Sequence, residues 1–78
     1  MSRLEWRCRR GTKELDELLQ RYLRERYPQA GHAEQRAFER LLELPDPLLQ
    51  NYCTGLNRPE ETELRDVVER ILEPDARA

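Results

Sequence analysis

Apolar residues in this chain recur three and four positions apart, and no stretch alternates with the period of two that a half-buried strand requires. Leu15, Leu18, Leu19, Tyr22 and Leu23 follow the i, i+3, i+4, i+7, i+8 spacing of a helix with one buried face. Ala37, Phe38, Leu41 and Leu42 mark a helix over 33–43, and Leu49, Tyr52, Cys53 and Leu56 a shorter one. Leu64, Val67, Val68, Ile71 and Leu72 mark the last. Turn and cap residues separate these faces. Ser2 and Glu5 have capping-box spacing, which predicts a short helix from Arg3 to about Arg10. Gly11 can then take the left-handed conformation of a C-terminal cap, and Thr12 can cap the second helix. Leu4, Cys8, Gly11, Leu15, Leu18 and Tyr22 would also fit one uninterrupted helix, since an interior glycine costs only about 1 kcal/mol. The break is preferred because Gly11-Thr12 supplies both a stop and a start.

Pro28 and Gly31 end the second helix, and neither Gly31 nor His32 is as good a cap for the third as a serine would be. Asp46 is expected to cap the fourth helix, with Pro47 at its first position and Gly55 at its end. Arg58-Pro59 is expected to open the fifth, and Pro74 to close it. The expected fold is all-α: a compact bundle of five short helices in one domain spanning 1–78.

Composition narrows what such a bundle can do. With 38 % charged and 37 % hydrophobic residues the chain is poor in apolar side chains, but their helical recurrence argues for a folded body rather than disorder. A domain of 9.4 kDa exposes roughly 5,000 Å², and its single small core leaves no room for an enclosed site. Function is therefore expected on the outside. A net charge of -2 argues against nucleic acid as the main partner. Charge is nevertheless uneven: Arg3, Arg7, Arg9, Arg10 and Lys13 make the start basic, while Glu60, Glu61, Glu63, Asp66, Glu69, Glu73 and Asp75 make the end acidic. No apolar run approaches the roughly 20 residues of a membrane-spanning helix, and no leader sequence is expected ahead of the first helix. A reducing cytoplasm is the expected compartment, with Cys8 and Cys53 as free thiols.

Few residues invite chemistry. The only histidine, His32, stands in a polar connection without a visible partner, and one histidine with two cysteines cannot make a four-ligand zinc site. Cys8 stands among arginines that could lower its pKa, yet it lies one helical turn from Leu4 and reads as a packed thiol. Glu60, Glu61 and Glu63 suit the first turn of a helix, where negative charge is favoured. There is no glycine-rich phosphate loop. What remains is the corner Trp6-Arg7-Cys8-Arg9-Arg10-Gly11-Thr12-Lys13-Glu14. A tryptophan and arginines around a tight bend have the composition of an interface hot spot, and the bend would display Arg10 and Glu14 outward as a preorganised pair.

Arg10-Gly11-Thr12-Lys13-Glu14 carries the Arg-Gly-x-x-Glu pattern, preceded by Trp6-x-Cys8-Arg9 and followed by Leu15-Asp16. Phe38-x-Arg40-Leu41-Leu42-Glu43-x-x-Asp46-Pro47-x-Leu49-x-Asn51-Tyr52 adds a second block. In these residues the chain resembles the succinate dehydrogenase assembly factor 2 family, also called FAD assembly factors, over most of its length. It departs at His32, where a serine, threonine or aspartate cap is usual, and at Leu48, where an acidic residue is common.

The resemblance implies binding to the flavoprotein subunit of succinate dehydrogenase or fumarate reductase, and promotion of covalent FAD attachment to a histidine of that subunit. It implies that the chemistry and the FAD belong to the partner; from its own residues the chain is expected to have no catalytic residue, metal or cofactor, and to be a monomer when free. Arg10, Gly11 and Glu14 are then the expected contacts, with Trp6, Arg9, Glu43 and Asp46 on the same surface. The alternative is a binding module for another partner, antitoxin-like or cytoskeletal.

Overall fold

The computed structural model describes residues 3–73. Five α-helices follow one another: α1 (Arg3–Arg7), α2 (Lys13–Glu25), α3 (His32–Leu41), α4 (Asp46–Cys53) and α5 (Thr62–Leu72). A single 3₁₀ turn, Tyr27–Gln29, joins α2 to α3. There is no strand among the described residues.

The helical faces read from the sequence meet in one core. α5 packs against α2, α3 and α4, so Leu64, Val67, Val68 and Ile71 bury themselves against Leu15, Leu19, Tyr22, Ala37, Phe38, Leu41, Leu49 and Cys53. The Tyr22 and Phe38 rings lie 4.5 Å apart between centroids, and Tyr27 tilts onto the other side of Phe38 at 5.7 Å. Both tyrosine hydroxyls reach the polar edge of α3: Tyr22 donates to Glu34 at 2.6 Å and Tyr27 to Glu39 at 2.7 Å. A buried ring thus keeps its hydroxyl satisfied, and the α2–α3 angle is fixed by shape and by hydrogen bonds together. The body measures 26 × 26 × 25 Å.

Arginines close the helix ends. Arg21 donates to the carbonyls of Ile71 and Glu73 at 3.0 and 2.9 Å, satisfying acceptors that the last turn of α5 leaves open. α4 ends differently. Gly55 stands at φ 84, Leu56 N–H bonds Asn51 O at 2.9 Å, and Gly55 N–H bonds Tyr52 O at 3.2 Å, the paired pattern of a Schellman cap.

Several boundaries differ from the sequence reading. α1 and α2 are separate helices, with Gly11 at φ 91 between them, but α1 stops at Arg7 rather than near Arg10. The reason is competition: Cys8 and Arg9 N–H fold back in tightened turns, and Arg10 N–H is taken by the Asp16 carboxylate at 2.6 Å. Thr12 occupies the N-cap of α2 without a side-chain hydrogen bond. α3 starts at His32, behind Gly31 as cap, and Leu42 follows its last residue. Asp46 is the first residue of α4 rather than its cap, and its carboxylate turns to Arg10 instead of the helix amides.

Pro59 does not open α5. It is buried in the approach to that helix, held by Arg65 hydrogen bonds to the Pro59 and Glu60 carbonyls, and Glu61 becomes the cap. Glu60 therefore precedes the helix, and Glu61 instead accepts from Arg40 at 2.6 Å. Two leucines assigned to buried faces are not buried: Leu56 is 72 % exposed because the positive-φ turn at Gly55 carries the chain away from the core, and Leu72 is 40 % exposed on the flank of α5. Leu18, Leu23 and Tyr52 are half-buried at the rim. Ser2 and Pro74, read as the start and stop signals of the outer helices, lie outside the described residues.

Candidate functional site: the α1–α2 corner

Two chain segments converge at one end of the bundle: the corner that joins α1 to α2, and the connection from α3 to α4. The corner owes its shape to Gly11, whose φ of 91 lies where an L-residue is strained. Asp16, one turn into α2, reaches back to the Arg10 amide and fixes the approach to that bend. Cys8 anchors the inner side with no exposed surface. Burial pushes its thiol up to about 11, outweighing the pull of the Arg10 and Arg7 charges toward the thiolate. Cys8 is therefore a packing residue rather than an activated nucleophile. Cys53 is likewise buried, and desolvation pushes it to about 12.

Arg10 joins the two segments. Its Nε donates to Asp46 Oδ1 at 2.7 Å, one Nη to Leu42 O at 2.8 Å and Arg7 O at 3.2 Å, and the other Nη to Leu44 O at 2.7 Å. The side chain is only 15 % exposed. Arg7 supports the same seam by donating to Glu39 O at 3.1 Å. The sequence reading expected the guanidinium to face outward, and it does not. The last carbonyls of α1 and those just past α3 carry partial negative charge without helical partners, and a planar cation with forked donors is the side chain that satisfies them together.

The other residues singled out from the sequence are on the outer surface. Glu14 is exposed on the first turn of α2, and its carboxylate has no hydrogen-bond or ion-pair partner among the described residues. Trp6 is 67 % exposed, a large apolar ring left mostly open to water. Arg9, Gly11 and Lys13 are exposed beside them. Glu43 is exposed between Leu42 and Leu44, whose carbonyls Arg10 grips, and Asp46 keeps half of its side chain open to solvent. The expected contact residues thus divide into one that is spent within the fold and others that are displayed.

Residues 2–75 match the family described as the flavinator of succinate dehydrogenase. The chain belongs to that family. It is 45 % identical over 69 residues to the FAD assembly factor SdhE of Methylococcus capsulatus, covering 88 % of this chain and 83 % of the relative. It is 38 % identical over 69 residues to the protein of that name from Coxiella burnetii, covering 88 % and 84 %. For the one from Yersinia pseudotuberculosis the figures are 37 % over 70 residues, 90 % and 80 %. No solved structure matches the chain.

Against that membership, the geometry offers no rival site among the described residues. No group of three His, Cys, Asp or Glu residues could hold a metal ion, and no helix is long and apolar enough to cross a membrane. His32 opens α3 on the surface. A depression lined by Glu14, Glu17, Leu18, Gln20, Arg21 and Arg24 follows α2 alone, so it is the outer face of a helix rather than an enclosed pocket. Asp16 and the Leu42 and Leu44 carbonyls were not identified from the sequence. Asp16 stood inside the motif block as a carboxylate one turn past a glycine corner, which is the signal that could have found it; backbone carbonyls leave no mark in a sequence.

Proposed function

We propose that this chain is an assembly factor that binds the flavoprotein subunit of succinate dehydrogenase, or of the related fumarate reductase, and promotes covalent attachment of FAD to it. The family and the names of the relatives support the reaction. One observation from the structure supports the assignment of the surface: at the glycine corner a tryptophan and an unpaired glutamate stand exposed beside a bend braced by the Asp16 carboxylate.

The physical logic is that of positioning. The bond between flavin and histidine is the chemistry of the client and its cofactor. This chain's residues bind and orient, and a client held in a competent arrangement reacts faster without any proton moved by its helper. On this reading the chain is not an enzyme, carries no cofactor of its own, and works in the cytoplasm as a monomer that meets the client through Trp6, Arg9, Gly11, Glu14, Glu43 and Asp46. A standard interface of about 800 Å² per partner would take about a seventh of its 5430 Å² surface, so the corner and its surroundings suffice.

Co-expression with the flavoprotein subunit tests this directly. Covalent flavin, read as fluorescence of the subunit on a denaturing gel, should rise with the wild-type chain and stay near background with Glu14→Ala or Trp6→Ala. Equal covalent flavin with and without the wild-type chain would reject the function. Full activity of both variants would reject the surface.

A further inference from the structure

A guanidinium has five N–H donors, and Arg10 spends four hydrogen bonds inside the chain, on Asp46, Leu42, Leu44 and Arg7. Those acceptors belong to the end of α1, the residues after α3 and the first residue of α4. One side chain therefore ties together two segments that are 32 to 36 positions apart in sequence. On either side of the tie stand displayed groups: Trp6, Arg9 and Glu14 from the corner, and Glu43 from the α3–α4 connection.

Building on the flavoprotein reading, we propose that Arg10 is a positioning residue rather than a contact: it holds the corner and the α3–α4 connection in register, so that the client meets one composite surface. Its hydrogen bonds stay intact in the complex. A partner that had to order two independent segments would lose affinity to the entropy of doing so, and the tie removes that loss before the encounter. Lysine cannot substitute. A single ammonium on a flexible stem cannot meet acceptors arranged around a planar fork.

The test uses the full chain labelled with ¹⁵N and the purified flavoprotein subunit carrying non-covalent FAD. In the free chain the Arg10 Nε–H should give a slowly exchanging signal, unlike that of exposed Arg9. On saturation with the subunit it should keep its position while the Trp6 indole and Glu14 amide signals move. Arg10→Lys, measured at a temperature where its circular dichroism equals the wild type's, should bind the subunit at least ten-fold more weakly.

An Arg10 Nε–H signal that moves together with Trp6 would overturn the proposal and leave the flavoprotein reading standing. A lysine variant that melts earlier but binds with unchanged Kd would also overturn it, since the tie would then serve stability alone. No change at any resonance would sink the flavoprotein reading, and the proposal with it.

Discussion

The backbone N–H of Arg10 donates to the carboxylate of Asp16 across 2.6 Å, from one side of the glycine corner to the other. The contact closes the bend: it gives a partner to an amide that α1 no longer uses, and it ties the start of α2 to the residue just before Gly11. Replacing Asp16 with alanine leaves that partly buried amide without an acceptor, at a cost of about 1–2 kcal/mol. Asp16→Asn keeps an acceptor oxygen in place and should lose less than about half of that. Urea melts of the two variants, with hydrogen exchange at the Arg10 amide, check the difference; equal losses would show that charge, not the acceptor, matters there.

Arg10 should matter for stability as well as for partner binding. Truncation to Arg10→Ala abandons three carbonyls and the Asp46 carboxylate. Because the side chain is mostly covered, the expected loss is about 2–3 kcal/mol, or roughly 10–20 °C in Tm for a chain of this size. A thermal melt decides it. A shift of only a degree or two would mean that water replaces the tie at no cost.

The glycines separate backbone strain from space. Nothing lies within 4 Å of a Cβ built on Gly11, but its φ of 91 strains any other residue. Gly11→Ala should cost about 1–2 kcal/mol through the backbone alone. Any loss of client binding beyond that, at a temperature where the variant is folded, then reports crowding of the partner. Gly31 has an ordinary φ of -69 and caps α3 without a side-chain hydrogen bond. Gly31→Ser should stabilise by about 0.5–1 kcal/mol, read as a raised urea midpoint.

The buried thiols make stability fall in alkali. Burial raises Cys8 from 9.0 to about 11 and Cys53 from 9.0 to about 12. In the unfolded chain both lose their protons near the lower value, so above it the unfolded state binds fewer protons than the folded one and stability drops as pH rises. The contribution is fully present below the unfolded pKa and is lost up to the folded one, by at most about 1.4 kcal/mol per pH unit for each thiol. The hydrogen bond from Tyr27 to Glu39, with burial, raises that phenol from 10.0 to about 12 and adds to the fall at higher pH. Urea midpoints should therefore be level up to about pH 8 and decline above 9, less steeply in Cys53→Ala. A midpoint that holds to pH 11 would contradict the burial of both groups.

How far the sequence reaches can be judged residue by residue. Leu15, Leu19, Phe38, Leu41, Val67 and Ile71 were legible as core because a helix repeats its inward direction every three or four positions, whatever it packs against. Gly11 and Gly55 were legible as stops because only glycine adopts their φ without strain. The family was legible too, since its pattern is local in sequence. Arg10 was not legible as a tie. Its partners are backbone carbonyls and a carboxylate brought near by folding, and nothing in the spacing of side chains announces them. The same limit hid the buried approach at Pro59 and the exposure of Leu56, where the path of the chain overrode apolar character. The existence of the helices and most of their buried faces are short-range consequences of backbone geometry, and the order of residues alone determined them, whereas the ends at Arg7, Asp46 and Thr62 were shifted by contacts made on folding. Which cation is turned inward and which acid is left to the solvent depends on where distant segments meet, and only the tertiary structure decided that.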